Sequence, residues 1–581
     1  MTTIYIDGDE FTLENGEHIN AIQAAARFGI EIPYYCWHPA LSVVANCRMC
    51  EVEVGSRDPK TGEIRMLPKL VPACQTPAKD QTVLITKSPK VLEHRRMIME
   101  LLLLNHPLDC PVCDQAGECG LQDFSYDHGR AEHRFVETRN VNPRKDVSDR
   151  IQLNADRCIM CTRCVRFTRE ITRTGELQVM RRGEHAEIGV FPEYELDNPL
   201  AGNVVDICPV GALLDKDFLH KQRVWFLSKH DSICTGCSTG CNITVEENKG
   251  AAWRHKPRYN PHVNDYWICD EGRYGYKVAN DPELLDATYV LEDGDHRATP
   301  IDQAIAAVSR NLALIAREGG KIAAIVSPFL TVEEAYLLCK YIKAISPSSV
   351  LAIGPIPRSG EDATWLPDKS QGRTGDVSFV VCRPFTIRAE KCPNRRGVEE
   401  VVRHFQGEVI DYASIGARIG GGEFQAAYVT SNAPEPAFDE SAATTIRRGV
   451  SFLVVQDTRI TPLANQADVV LAGGTYAEKA GCYVNHDGRL QFAEAALPPR
   501  EGVLPDLDVF SILLERGAAP IRSFDVLAEL AAEIEVFAVA AGGRIAEFGG
   551  TIGGVESNRS APKNGSVYEQ VYQDPWAGVR R

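Results

Sequence analysis

The spacing of apolar and polar residues near the amino terminus predicts a small β-rich domain. The runs TIYID and EFTL alternate apolar with polar positions, which predicts two strands joined by a turn at Gly8-Asp9. The segment Ile19–Phe28 has helical spacing, and Gly29 is a stop signal. We expect the first domain to cover residues 1–88.

A longer apolar helix follows this domain. Ser88 and Pro89 have the pattern of an N-cap followed by proline at the first helical position. The predicted helix contains HRRMIMELLLLN and ends near Pro107. Because its leucine run is apolar on every side, we expect that run to be buried between domains.

The pattern changes to an α/β type from about residue 285. The continuous apolar runs KIAAIVSP, AAYVTSN and FLVVQD each lead into a polar loop, which predicts buried parallel strands. Helical stretches at Ile301–Ala316 and Thr331–Ile345 alternate with these runs, so we expect a doubly wound α/β domain. Residues 355–400 are rich in Gly, Pro and Arg and predict a loop, and the polar tail 549–581 predicts an extended arm.

Composition narrows the class of protein. The chain has 581 residues, which at roughly 150 residues per domain suggests about four domains. Its formal charge of −16 argues against general binding of nucleic acid or anionic membranes. The amino terminus lacks a basic segment followed by an apolar one, and the apolar run Met97–Leu104 is far shorter than the ~20 residues that span a bilayer. We expect any membrane association to occur through a partner.

Cysteines are concentrated in the first half of the chain. There are 19, and 15 of them lie between Cys36 and Cys269. With one histidine they form four sets of four candidate ligands. The first group is Cys36, Cys47, Cys50 and Cys74; the second is His106, Cys110, Cys113 and Cys119; the third is Cys158, Cys161, Cys164 and Cys208; the fourth is Cys234, Cys237, Cys241 and Cys269.

The spacing within these groups favours iron–sulfur clusters. The third group, C-x2-C-x2-C with a distant Cys-Pro, follows the bacterial ferredoxin run and predicts one [4Fe–4S] cluster. The first group, with a close pair and one cysteine on either side, resembles a plant-type [2Fe–2S] site in a β-rich domain, with a first gap of ten residues rather than four. Structural zinc, which usually takes two separated pairs of ligands, is the alternative for these two groups.

The second group has only three cysteines, and His106 is the natural fourth ligand. A lone histidine at a helix end is usually structural, but the short H-x3-C spacing and the missing fourth cysteine favour ligation. Gly117 and Gly120 let the backbone wrap closely. The fourth group, C-x2-C-x3-C-x27-C, again favours [4Fe–4S] over zinc.

The motifs around these cysteines resemble the large iron–sulfur subunit (G-type subunit) of respiratory complex I, the NADH:quinone oxidoreductase. The resemblance covers residues 2–279 through CWHPALSVVANCRMCEVEV, HPLDCPVCDQAGECGLQD, CIMCTRCVRF with DICPVGALLD, and CTGCSTGCN with WICDEGRYGY. It implies one [2Fe–2S] and three [4Fe–4S] clusters, with the sixteen residues named above as metal ligands. The cluster of the fourth group corresponds to an additional cluster that is found in some bacterial members of the family. This additional cluster lies off the main electron path.

The second half resembles the molybdopterin oxidoreductase fold more weakly, most clearly in QADVVLAGGTYAEKAGCYVNHDGRLQ. Two departures from catalytic members imply that the cofactor is lost. Cys269 is followed by Asp270-Glu271-Gly272 where catalytic relatives usually have Lys-Gly, and none of the other cysteines has the context of a molybdenum ligand. We therefore expect Cys339, Cys382, Cys392 and Cys482 to be ordinary core or loop residues.

The predicted fold class is α+β iron–sulfur domains, plant-type and bacterial ferredoxin-like, followed by a degenerate α/β molybdopterin-oxidoreductase-like domain. The expected segments are a [2Fe–2S] domain (1–88), a helical segment with one His and three Cys ligands (89–140), a ferredoxin-like [4Fe–4S] domain (141–225), a distal [4Fe–4S] segment (226–285), the α/β domain (286–548) and a carboxyl-terminal arm (549–581).

These features predict an electron-transfer subunit that has no catalytic residue and binds no molybdopterin, flavin or NAD. No G-x-G-x-x-G follows a strand, and there is no Walker A motif. By resemblance, its partners are a flavin- and NADH-binding subunit and quinone-module subunits, and it contacts the membrane arm only indirectly. The expected location is the cytoplasmic side of the inner membrane, reached through partner subunits. We expect no nucleic-acid partner. A molybdenum-dependent formate dehydrogenase and the electron-transfer subunit of an NAD-linked hydrogenase are the alternatives.

Overall fold

A computed structural model describes residues 1–14, 19–132, 134–136, 138–367, 383–517 and 519–554. In this part of the chain, no helix is both long enough and apolar enough to cross a membrane. The architecture mixes helices and sheets throughout.

The amino-terminal domain is a mixed sheet in the order β2-β1-β6-β3-β4, with β5 paired to β3. Only the β1–β6 pair is parallel. The two strands predicted first are confirmed, but their turn lies one residue earlier, at Asp7-Gly8, where φ is 52° and 100°. Positive φ at both turn residues suits a tight hairpin, and glycine adopts it at little cost. The strands are Thr2–Ile6 (β1), Asp9–Leu13 (β2), Glu51–Arg57 (β3), Ile64–Met66 (β4), Val71–Pro72 (β5) and Thr82–Ile85 (β6).

The first two helices lie where they were predicted, and the second begins at its predicted cap. Helix α1 (Ala21–Arg27) has a capping box between Asn20 and Gln23. In helix α2 (Pro89–Leu103), the Ser88 side chain accepts a hydrogen bond from the amide of Val91.

The expected burial of the leucine run is wrong. Leu101 is 57% exposed, and the three leucines after it are only half-buried. The end of α2 therefore lies at the surface, and only one side of it packs on the protein.

The middle of the chain consists of short elements between the cysteine loops. Strands β11, β8 and β7 form one small sheet, β9 and β10 a hairpin, and β12, β13 and β14 an antiparallel meander. The bounds are Gly120–His128 (α3), Arg144–Asp146 (β7), Ile151–Asn154 (β8), Arg163–Glu170 (α4), Gln178–Met180 (β9), Glu187–Gly189 (β10), Asn203–Ile207 (α5), Leu213–Asp215 (β11), Ser228–Ile233 (β12), Asn242–Asn248 (β13), Ala251–Pro257 (β14) and Asp270–Tyr274 (α6).

The second half is built on a seven-stranded sheet in the order β16-β15-β23-β22-β21-β17-β18. The five strands from β23 to β18 are parallel, and alternate residues of these strands enter two separate apolar cores, one on each face. A parallel sheet with an apolar core on each face is the arrangement expected of a doubly wound α/β domain, and the three predicted strands are confirmed. The strands are Thr288–Glu292 (β15), Asp295–Thr299 (β16), Ile322–Val326 (β17), Val350–Ile353 (β18), Ala426–Thr430 (β21), Phe452–Asp457 (β22) and Val469–Ala472 (β23).

Helices cover both faces of this sheet. The two helices predicted in this half are confirmed, the second with Thr331 in a capping box with Glu334. The helices are Ile301–Arg317 (α7), Val332–Ile345 (α8), Arg395–Gln406 (α9), Tyr412–Gly420 (α10), Glu440–Arg448 (α11), Asp506–Leu513 (α12) and Ser523–Glu533 (α13).

The stretch 355–400 is only partly the loop that composition predicts. It contains a two-stranded pair, Ala363–Trp365 (β19) with Phe385–Ile387 (β20), and α9 already begins at Arg395. A small sheet of Gly481–Val484 (β24), Arg489–Ala493 (β25) and Gly550–Thr551 (β26) receives the start of the predicted arm. The rest of that arm, 555–581, lies outside the described residues.

Candidate metal centres

The first cysteine group is arranged as two pairs of thiols. Cys36 is hydrogen-bonded to Cys47, and Cys50 is hydrogen-bonded to Cys74. The amide of Ala73 donates to the carbonyl of Cys50 at 3.0 Å, which ties the two loops together. Two pairs of thiolates match the two iron atoms of a [2Fe–2S] cluster, each of which takes two protein ligands.

The second group lies where α2 ends and α3 begins. Cys110 opens a short 3-10 turn, Cys113 follows it, and Cys119 is the N-cap residue of α3. The three thiols interact electrostatically with one another, and Cys110 is exposed at the surface. Gly211 approaches the group closely, since a Cβ there would lie 2.3 Å from the Cys113 sulfur. Gly117 has a φ of 88°, which allows the tight wrap expected for this loop.

His106 has the surroundings expected of a neutral nitrogen ligand. Its Nδ1 atom is buried and lacks a hydrogen-bond partner among the described residues. Burial, together with the nearby charge of Arg157, lowers the pKa of His106 to about 4. Arg157 also faces Cys113, so both side chains border the same guanidinium. A neutral imidazole with an unpaired nitrogen is chemically suited to bind a metal.

The third group lines one small cavity. Cys158, Cys161, Cys164 and Cys208 surround it together with mainly apolar side chains. Met160 and Thr162 have φ of 52° and 60°, and these left-handed residues between the cysteines coil the loop around the cavity. Backbone amides of the segment after Cys208 hydrogen-bond to its sulfur. Burial raises the pKa of all four thiols, so a cationic centre would be needed to hold them as thiolates.

The fourth group lies at the junction of β12, β13 and α6. Its four cysteines are 4–6% exposed. A Cβ at Gly272 would lie 2.9 Å from the sulfur of Cys234 and 3.5 Å from that of Cys269, so only glycine leaves the space between these sulfurs open.

The α/β domain closes over the loop of this group. The amide of Ser238 donates to the carbonyl of Glu390 at 2.9 Å, and its carbonyl accepts from the amide of His486 at 2.7 Å. Thr239 Oγ1 donates to the carbonyl of Thr386 at 2.6 Å, and Gln491 Nε2 donates to the carbonyl of Gly240 at 3.0 Å.

All four groups contribute to one apolar core. Its buried members include Cys36, Cys119, Cys208 and Cys269, one from each group. Across the described ranges, no set of three or more His, Cys, Asp or Glu side chains converges closely enough to hold a single metal ion. A cluster of several irons takes its thiolates at separate corners, so its ligands do not have to converge on one point.

The carboxyl ends of the parallel strands, where doubly wound domains usually bind ligands, are occupied by the chain's own charges. The buried carboxylate of Asp506 accepts hydrogen bonds from Asn432 Nδ2 at 3.0 Å, Gln456 Nε2 at 2.5 Å and the amide of Gly474 at 3.3 Å. Lys479 Nζ lies 2.9 Å from Glu334 and 3.7 Å from Asp506.

The remaining described cysteines of this domain, Cys339, Cys392 and Cys482, are fully buried, as expected of core residues. Cys382 lies outside the described residues.

Two residues of the site were missed by reasoning from cysteine spacing alone. Arg163 and Arg166 flank Cys164 and are 2% and 4% exposed, buried between the first and third groups. The signal was present in CTRCVRF, because two arginines among candidate ligands that are expected to be buried are costly unless their charges are paired and hydrogen-bonded.

Five family models match successive parts of the chain. They are the 2Fe-2S iron-sulfur cluster binding domain (1–89), the NADH-ubiquinone oxidoreductase-G iron-sulfur binding region (95–134), the ferredoxin-like domain of NADH-quinone oxidoreductase subunit 3 (148–214), the molybdopterin oxidoreductase Fe4S4 domain (227–281) and molybdopterin oxidoreductase (405–516). The chain thus contains [2Fe–2S] and [4Fe–4S] binding domains followed by a molybdopterin-oxidoreductase-type domain.

Curated relatives carry related names. The G subunit of NADH-quinone oxidoreductase from Rickettsia bellii is 35% identical over 59% of this chain and 48% of its own length. The NADH-ubiquinone oxidoreductase 75 kDa subunit of Reclinomonas americana is 34% identical over 60% of this chain and 49% of its own. The G subunit from Mycobacterium bovis is 33% identical over 65% of this chain and 46% of its own length. The chain therefore spans about half the length of the curated relatives it matches.

Among solved structures, an NAD+-reducing [NiFe]-hydrogenase in the H2-reduced state matches with 27% identity over 38% of this chain and 91% of that chain. Its TM-score of 0.33 does not establish a shared fold. The successive iron–sulfur domains and the curated relatives agree: the chain is a homologue of the G subunits and 75 kDa subunits of NADH-quinone and NADH-ubiquinone oxidoreductases.

Proposed function

We propose that this chain is an iron–sulfur electron-transfer subunit of an NADH:quinone oxidoreductase. The observation that carries the proposal is the single core to which all four ligand groups contribute. Electron tunnelling falls off steeply with distance, so centres packed into one core form a conducting row. A structural role for metal requires no such row.

The proposed cofactors are one [2Fe–2S] and three [4Fe–4S] clusters, held by the four groups in chain order. The paired thiols of the first group support the smaller cluster there, and the cavity of the third group supports a larger one. When bound, each cluster supplies one-electron chemistry. The chain's own residues supply thiolates and one imidazole, donate backbone hydrogen bonds to sulfur and exclude water.

The surface around the second group supports a path out of the chain there. Cys110 is exposed, and four large apolar side chains near this loop are 54–84% exposed: Leu108, Val112, Trp225 and Phe226. Arg223 donates to the carbonyl of Cys113 at 2.7 Å and to that of Pro111, and it lies over the ring of Trp225, which joins part of this patch to the loop. Exposed apolar patches commonly mark sites where another protein binds.

By homology, the proposed partners are a flavin- and NADH-binding subunit and quinone-module subunits. Electrons would pass from the flavin subunit through the first three groups, with the fourth off this path. The proposed location is the cytoplasmic side of the inner membrane, reached through partner subunits.

The α/β domain is proposed to carry no molybdopterin. The buried network of Asp506, Lys479 and Glu334 at the strand ends supports this, because these charges already satisfy one another. The alternatives are the catalytic subunit of a molybdenum-dependent formate dehydrogenase, which would bind molybdenum, and the electron-transfer subunit of an NAD-linked hydrogenase.

Metal analysis of the purified chain tests the proposal. Four clusters of the stated types predict about 14 iron atoms per chain and no molybdenum. Cys208→Ala should lose about four of these irons, whereas Cys339→Ala, a buried cysteine outside the groups, should lose none. Stoichiometric molybdenum, or equal iron in both variants, would overturn the proposal. Co-purification with hydrogenase subunits instead of flavin and quinone-module subunits would favour the hydrogenase alternative.

A further inference from the structure

Two buried arginines join the loops of the first and third cysteine groups. Arg163 and Arg166 lie on α4, on either side of Cys164. Burying a guanidinium is costly unless its donors are satisfied and its charge is compensated. The donors of both residues point mainly at backbone carbonyls beside candidate cluster ligands.

Arg163 bridges the two groups directly. Its Nη2 donates to the carbonyl of Trp37 at 2.6 Å, immediately after Cys36 of the first group. Its Nη1 donates to the carbonyl of Ile207 at 3.1 Å, immediately before Cys208 of the third group. One planar side chain thus holds both loops at a fixed separation.

Arg166 makes a second bridge from the next turn of the helix. Its Nη2 donates to the carbonyl of Cys36 and, at 3.2 Å, to the carbonyl of Cys161. Its Nη1 donates to the carbonyl of Ser42 in the first domain. The two bridges together contact the backbone of ligands from both groups.

The charge of these arginines is weakly compensated by protein. In the described part of the chain, all hydrogen bonds of the two guanidinium groups go to carbonyl oxygens. Glu170, the carboxylate that interacts with Arg166 electrostatically, accepts two hydrogen bonds from Ser42. Arg166 interacts electrostatically with the sulfurs of Cys36 and Cys161, and Arg163 with that of Cys208, so two buried positive charges act on both groups. A reduced cluster carries one more negative charge than an oxidised one.

We infer that Arg163 and Arg166 are shared positioning residues of the first and third groups, which hold the two loops together and raise the reduction potentials of both clusters. This inference rests on the proposed function, since it requires both clusters to be present. Because the same two charges act on both clusters, their reduction potentials shift together. The difference between the two potentials, and so the free energy of electron transfer between the clusters, stays small.

The test is a redox titration of the full chain, isolated anaerobically with its native clusters and followed by electron paramagnetic resonance. Arg166→Gln removes the charge at similar length and should lower the reduction equilibrium constant of both clusters about tenfold, which is 59 mV for one electron. A unit charge within roughly 12 Å produces an effect of this size at an effective dielectric constant near 20. Arg163→Gln should act in the same direction.

Arg169→Gln is the matched control, because Arg169 is on the same helix and is exposed. It should leave both potentials unchanged. Arg166→Lys retains the charge without the planar fork and should keep both potentials within about threefold of wild type.

The inference is overturned if Arg166→Gln carries both clusters at unchanged potentials, or if only the potential of the third group shifts. Where the Gln variants do not retain their clusters, Arg166→Lys decides. If it binds both clusters and both potentials are kept, the role of charge is supported, and if it binds them at lowered potentials, that role is refuted. A wild-type chain that lacks the signals of these clusters would instead refute the proposed function.

Discussion

Replacing Arg254 by methionine should destabilise the second cysteine group from a distance. Arg254, on β14, makes a two-pronged ion pair with Glu118, with Nη–Oε distances of 3.0 and 2.8 Å, and also binds Glu246. The side chains of the two carboxylates are 10% and 1% exposed. Glu118 directly precedes Cys119, so this pair anchors the cysteine loop to the neighbouring sheet.

The size of the effect follows from what the substitution leaves behind. Removing one partner of a buried ion pair costs about 3–5 kcal/mol, because the other charge stays buried without compensation. Lys256 remains 2.9 Å from Glu118, so we expect the lower end, about 3 kcal/mol. Hydrogen exchange in the full chain measures this directly, as a loss of protection of roughly 150-fold in peptides spanning 110–128 and 243–257.

Two variants make the reasoning refutable. Arg297→Met breaks an exposed ion pair with Glu292 and should cost no more than about 1 kcal/mol. Arg254→Met combined with Glu118→Gln should recover part of the protection, because the stranded charge is removed. If Arg254→Met changes protection by less than fivefold, or no more than Arg297→Met does, the buried pair does not anchor the loop.

Three further predictions concern single residues. His106→Cys should retain iron but lower the potential of the second cluster, because a thiolate is more negative than imidazole; an unchanged potential in a redox titration would count against ligation by His106. Lys479→Met should lower the free energy of unfolding of the α/β domain by about 3–5 kcal/mol in urea, with partial recovery when Glu334→Gln is added, and equal values for the single and double variants would contradict it. Burial raises the pKa of Asp457 to about 6, so its contribution to stability is complete below pH 4 and is lost as the pH rises through 6. Asp457→Asn should remove up to about 3 kcal/mol of this pH-dependent loss of stability. Thermal melts at pH 4 and pH 7 measure it, and a variant whose stability falls between these pH values as much as that of wild type would refute the prediction.

Local signals in the sequence predicted much of the fold because they act over a few residues. The cap at Ser88, the helical spacing from Thr331 and the apolar runs of the parallel strands are local, and each occurs where expected. The grouping of the third set of cysteines also follows from sequence, since a short loop keeps three of them together.

Features that depend on distant neighbours were not predictable in this way. Leu101 looked like a core residue, but nothing in its own helix determines what packs against it. The bridges of Arg163 and Arg166 join residues more than 40 positions apart, and the charged network around Asp506 joins helices and strand ends from across the α/β domain. Such contacts are set by tertiary packing, and the spacing of apolar and polar residues along the sequence does not predict them.

The closure of the α/β domain over the fourth group constrains the order of biogenesis. The loop from Cys234 to Cys241 is covered by backbone and side-chain contacts from residues 386–390 and 485–491, which the ribosome produces at least 117 residues after Cys269. A cofactor held there has to be inserted before this cover docks. For the proposed fourth cluster, the interval between synthesis of Cys269 and folding of the cover is therefore the window for metal delivery, and a chain that folds before loading would be trapped in an empty form.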